Sequence, residues 1–108
     1  MINKKMINIK VIAEFGELEH DYGIFGQNDI QKLVDIAVKE NMSCLSFISL
    51  DQDMYFNEIQ CKDIKKELDV LRKKEKNNVK KDLLDTIEKA SDLAIENWSF
   101  VKFEIAEL

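Results

Sequence analysis

Proline is absent from this chain of 108 residues, and glycine occurs only three times. A β-sandwich with a turn every 8–12 residues needs more of both, and a disordered chain is richer in them. Cysteine is scarce too. Cys44 and Cys61 are too few for a disulfide framework, and their spacing matches no zinc-binding pattern. Two reduced, partly buried thiols are the expectation. A single histidine, His20, leaves little material for metal ligation or general acid–base work. No run approaches the roughly 20 apolar residues a bilayer span requires. The N-terminus carries Lys4 and Lys5 but neither an apolar run nor a small-residue cleavage site. The expectation is a soluble protein of cytoplasmic type without a membrane association.

Hydrophobic residues at 45% and charged residues at 34% suffice for one core and one well-solvated surface. A chain of this length buries about two-thirds of its unfolded surface, which leaves little room for a deep substrate cavity. One α+β domain over residues 1–108 is therefore expected. Residues 1–5 read as an extension outside the fold, because Met6-Ile7-Asn8 repeats the opening Met1-Ile2-Asn3.

Periodicity supplies the elements. Ile7, Ile9, Val11, Ala13 and Phe15 alternate with Asn8, Lys10, Ile12 and Glu14, the period of a strand with one buried face. All three glycines fall within residues 16–28, which predicts a sharply turning connection. Asn28 with Gln31 resembles a capping box, followed by the helical stripe Ile30, Leu33, Val34, Ala37 and Val38 up to Asn41. Ser43–Leu50 reads as a strand, Asp51-Gln52-Asp53 as a turn and Met54–Asn57 as a short return strand. Asn57 and Gln60 are placed to cap a second helix with the seam Cys61, Ile64, Leu68 and Leu71. Asn77-Asn78 breaks it. A third helix carries Val79, Leu83, Ile87, Ala90 and Ala94 on one face and ends at Asn97, before a strand from Trp98 to Ile105. The predicted order is β-α-β-β-α-α-β, a four-stranded mixed sheet with the helices mainly on one face. Its first crossover would be right-handed, with strands 1 and 2 parallel.

Chemistry is sparse. Glu19-His20-Asp21 holds the only histidine, but neighbours in a loop do not converge on one ion, so neither metal nor cofactor is expected. Cys44 and Cys61 occupy packing positions, and no glycine-rich elbow or phosphate loop is present. No catalytic group is expected, and the chain reads as a non-enzyme.

Charge is more informative. Residues 62–81 hold nine Lys/Arg against four Asp/Glu, while the whole chain stands at −5, so the remainder is strongly acidic. The basic stretch, including Lys65, Lys66, Arg72, Lys73, Lys74, Lys80 and Lys81, could meet phosphates. Interspersed acids, a pI near 4.9 and the lack of interleaved aromatics favour a solvated hairpin with intrahelical pairs such as Asp69–Lys73 instead. The acidic part gathers Glu14, Glu17, Glu19 and Asp21 with Tyr22 and Phe25, and Asp51 and Asp53 at the predicted hairpin. An acidic rim with aromatic anchors suits docking on a basic protein, and these eight residues are the candidate contact set.

With Phe56-Asn57-Glu58-Ile59-Gln60 at the strand-to-helix junction, an acidic balance and a Lys/Asn/Ile-rich composition, the chain resembles small bacterial immunity proteins. That resemblance is one of format and implies a non-enzymatic monomer or homodimer that neutralises a cognate basic toxin domain. It carries over no binding residue. The competing expectations are a self-associating structural or regulatory protein and, behind it, a nucleic-acid binder using the basic hairpin.

Overall fold

Strand β1 (Lys5–Ile12) and strand β2 (Leu18–Gly26) form a hairpin at one edge of the sheet. Their connection is tight: the Ala13 N–H donates to the Glu17 carbonyl and the Gly16 N–H to the Ala13 carbonyl. Gly16 takes φ +88° there, where a side chain would be strained. The computed structural model describes residues 5–74 and 78–107. After β2 come α1 (Gln27–Lys39), a 3-10 turn at Leu45–Phe47, β3 (Met54–Phe56), α2 (Glu58–Arg72), α3 (Lys81–Asn97) and β4 (Phe100–Glu107).

The α+β class stands, with four strands in one sheet and the helices against one of its faces. The strand order is β2-β1-β4-β3, and every pairing is antiparallel. The sheet is therefore not mixed, and the expected parallel crossover is absent from it. Two segments account for the correction. The glycine-bearing residues 18–26 form a strand, whose extra residues opposite β1 are taken up by register shifts, with Gly23 at φ +91° in the first of them. Residues 43–50, the expected strand, instead turn through the 3-10 segment, because the Glu67 carboxylate of α2 takes the amides a ladder would have used. Its oxygens accept from the Cys44 and Leu45 N–H groups, the latter at 2.9 Å.

Alternation along β1 decides which face is covered. Ile7, Ile9 and Val11 are buried beside Val101 and Phe103 of β4 and Phe56 of β3. Ile30, Leu33 and Ala37 of α1, Cys61, Ile64, Leu68 and Leu71 of α2, and Leu83, Ile87, Ala90 and Ala94 of α3 close over them. Phe56 meets Phe103 edge to face, centroids 5.6 Å apart. Helix α2 begins at the anticipated capping box, with the Asn57 side chain accepting from Gln60 N–H and the Gln60 side chain accepting from Asn57 N–H, each at 2.9 Å. Helix α1 departs from expectation: Gly26 is its N-cap without a side-chain bond, and Asn28 lies inside it. The expected helix end near Asn41 is marked by that residue's φ of +56°.

Of the expected N-terminal extension, Lys5 belongs to β1, where it pairs with Glu107, and residues 1–4 lie outside the described residues. Asn77 does too. Cys44 and Cys61 are buried free thiols. Burial raises both pKa values, that of Cys61 to about 11, so neither is a thiolate at neutral pH.

Candidate docking surface

Sheet register brings four chain segments to one end of the molecule. Ile12 lies opposite both Leu18 and Phe100, so the β1–β2 turn stands beside the start of β4. Phe56 pairs with Val101, which sets the β3–α2 junction at that end as well. Helix α3 finishes there with Asn97 and Trp98.

Large apolar side chains reach solvent from each segment: Phe15 at the tip of the turn is 90% exposed, Trp98 75% and Ile59 65%, with Leu18 and Tyr55 about half exposed. Trp98 is unusual in a second way. It caps α3 in the left-handed conformation, φ 57°, ψ 41°, a position that favours glycine. The exposed Trp98 ring therefore gains little from burial while its backbone bears the cost of that conformation, about 1–2 kcal/mol.

Acidic groups frame this end. The Glu14 and Glu17 side chains are exposed and have no hydrogen-bond or ion-pair partner among the described residues. No basic residue occupies the last turn of α3, leaving the negative end of its dipole uncompensated. Glu19 is fastened nearby, accepting from Ser99 Oγ at 2.6 Å and Asn97 Nδ2 at 2.9 Å.

The eight candidate contact residues are thereby divided. Glu14, Glu17 and Glu19 share the turn end. Asp21 sits mid-strand on the uncovered face of the sheet. There it accepts from Asn8 Nδ2 at 2.7 Å and the Gly23 N–H at 2.8 Å, bonds that hold its pKa below the ordinary 3.8. Tyr22 and Phe25 turn inward and pack on the core. Desolvation lifts the Tyr22 phenol above its usual pKa. Asp51 reaches Lys5 at 3.1 Å, about 20 Å along the sheet from the turn end. Asp53 accepts from the Ile105 N–H at 2.8 Å and meets Lys102, plugging the amide that the short β3 leaves open. Missed by the sequence reading were Phe15, Trp98, Tyr55 and Ile59, whose periodicity read as strand or helix rather than exposure.

Divergence also governs Glu19-His20-Asp21. Glu19 points to the α3 end, the His20 ring lies tilted against Tyr22 with centroids 4.3 Å apart and Asp21 lies across the strand. Among the described residues, no three His, Cys, Asp or Glu gather where they could hold a metal ion, and no helix is long and apolar enough to cross a membrane.

Across the uncovered sheet face, Lys10 contacts Glu104 at 2.7 Å, and Lys102 contacts both Glu104 and Asp53. The two ammonium groups, Lys10 first, hold the Glu104 pKa below its usual range, and the bond to Glu104 raises that of Lys102. Comparisons with family models, curated proteins and solved structures find nothing that matches this chain.

Four basic side chains of the hairpin are paired between chain segments rather than along one helix. Lys65 meets Asp92 at 2.6 Å, Arg72 meets Asp85 and Glu88, Lys74 meets Glu40 at 2.6 Å and Lys80 meets Asp29. These pairs also show α2 and α3 running antiparallel.

Proposed function

We propose that this chain is a cytoplasmic, non-enzymatic protein-binding module that neutralises a basic bacterial toxin domain, in the manner of an immunity protein. The observation that carries this reading is Trp98: a large apolar ring kept in solvent on a left-handed backbone, where glycine would be more stable. Such a residue lowers the stability of the free protein and gains its favourable contacts only when covered. Phe15, on the neighbouring turn, supplies a second anchor, and Glu14 and Glu17 supply the sign of charge that steers a basic partner. Pairing of four of the hairpin's basic side chains, Lys65, Arg72, Lys74 and Lys80, with carboxylates from other segments weighs against nucleic acid as the partner.

The experiment is co-expression with the proteins encoded beside this one. One of them is expected to co-purify, to be inhibited in its toxicity, and to lose both properties when Trp98→Ala and Phe15→Ala are combined. If every neighbour neither binds nor is inhibited, the reading falls.

Self-association is the second reading, favoured by β2, an edge strand of nine residues with no strand on its outer side among the described residues. The two register shifts in β2 bend that edge and oppose regular pairing. A strict monomer by sedimentation at micromolar concentration removes this alternative.

A further inference from the structure

Beneath the β1–β2 turn, the uncovered face of the sheet holds a notch of about 280 Å³ lined by Ile12, Ala13, Glu14, Gly16, Tyr55, Phe100 and Lys102. That volume admits one side chain and is below the usual range for a cofactor or metabolite site. Its walls are mostly apolar and aromatic. Lys102 adds no free charge, because its ammonium is engaged by Glu104 and Asp53. That ammonium also lies 5.3 Å from the Tyr55 centroid, so one aromatic wall already accepts a cation. Glu14 contributes a carboxylate without a partner among the described residues.

We infer that the notch seats an arginine side chain presented by a basic protein partner, a step that rests on the protein-binding reading above. Arginine fits these walls better than lysine. Its planar guanidinium is weakly hydrated and stacks on aromatic faces, and its donor fork matches a carboxylate in two-point contact. A lysine ammonium would surrender a strong hydration shell against Phe100 and Ile12 for a single-point contact with Glu14. The apolar stem of arginine lies along the floor, against Ile12 and Phe100.

The test is an NMR titration of the intact protein with N-acetyl-arginine amide, N-acetyl-lysine amide and N-acetyl-leucine amide. The arginine amide is expected to shift Tyr55, Phe100 and the Ala13–Gly16 amides with a dissociation constant of order 1 mM, and to bind roughly threefold or more tightly than the lysine amide. Glu14→Gln and Tyr55→Ala should each weaken it by a similar factor, with unchanged spectra elsewhere showing that both variants fold. Equal binding of arginine and lysine amides, preference for the leucine amide, or no shift at the notch would each overturn the assignment. A protein partner that binds Glu14→Gln and Tyr55→Ala undiminished but loses affinity for Trp98→Ala would overturn the notch and leave the protein-binding reading intact. Arginine amide seated in the notch, with no neighbouring gene product bound, would do the reverse.

Discussion

The turn end of the sheet and the helical flank are built from the same residue types, yet they use charge in opposite ways. On the flank, Glu67 is buried and accepts from the Cys44 and Leu45 amides and from Ser43 Oγ. On the same flank, Lys65, Arg72, Lys74 and Lys80 each face a carboxylate from another segment of the chain. At the turn end, Glu14 and Glu17 face water beside exposed Phe15 and Trp98. Charge on the flank holds elements together, whereas at the turn end Glu19 is held by Ser99 and Asn97 but Glu14 and Glu17 remain available to another molecule. Local composition does not distinguish these uses, since both regions look like ordinary charged surface when read along the chain.

The sharpest way to break this contrast is to remove the buried carboxylate. Glu67→Ala should cost about 3 kcal/mol of stability by urea denaturation, because two buried amides lose their acceptor. Glu67→Gln, which keeps an acceptor, should cost clearly less. At the turn end the same measurement should barely move. Trp98→Ala is expected instead to weaken a cognate partner by about 2 kcal/mol, a factor near 30, read by calorimetry. If Trp98→Ala unfolds the protein while Glu67→Ala does not, the assignment of the two regions is inverted.

Trp98→Gly sharpens the point, since it should raise the urea midpoint by the equivalent of about 1 kcal/mol while abolishing partner binding. A residue that opposes folding yet supports binding separates the two uses in one variant.

Acid provides a subtler probe. Asp21 and Glu104 are held below their ordinary pKa values in the folded state, so their ionised forms favour folding. That contribution is complete at neutral pH and is lost as pH falls through the ordinary carboxylate values of 3.8 and 4.5 toward the lower folded ones. The urea midpoint should fall over that window. The fall should be reduced in Asp21→Asn, which removes the titrating carboxylate that accepts from Asn8 and Gly23. The smallest effect belongs to the flank's outer pairs: Lys80→Ala should change stability by no more than about 0.5 kcal/mol.

Much of the fold was legible because its signals are local. The period of two in Ile7, Ile9 and Val11 marks β1, the Asn57–Gln60 capping box starts α2, and the spacing of Leu83, Ile87, Ala90 and Ala94 marks α3. Residues 18–26 and 43–50 were misread for one reason: each depends on a distant partner. Gly23 resembles a loop residue until β1 supplies a register that needs an extra residue with positive φ. The Leu-Phe-Ile run after Ser43 resembles a strand until Glu67, more than twenty residues later, captures its amides.

The docking surface divides along the same line. Its acidic residues could be chosen by inspection, but Asp51 belongs to the other end of the sheet, Asp53 is taken up by the Ile105 amide and Lys102, and Tyr22 and Phe25 face the core. Sequence by itself determined the α+β class, the acidic balance and the helix boundaries at Asn57 and Asn97, all properties set within a few residues of chain. Tertiary structure decided which carboxylates are consumed by amides and lysines and which stay open, and that Trp98 ends in solvent rather than in the core. Exposure depends on what packs against a residue, and those neighbours come from other segments of the chain.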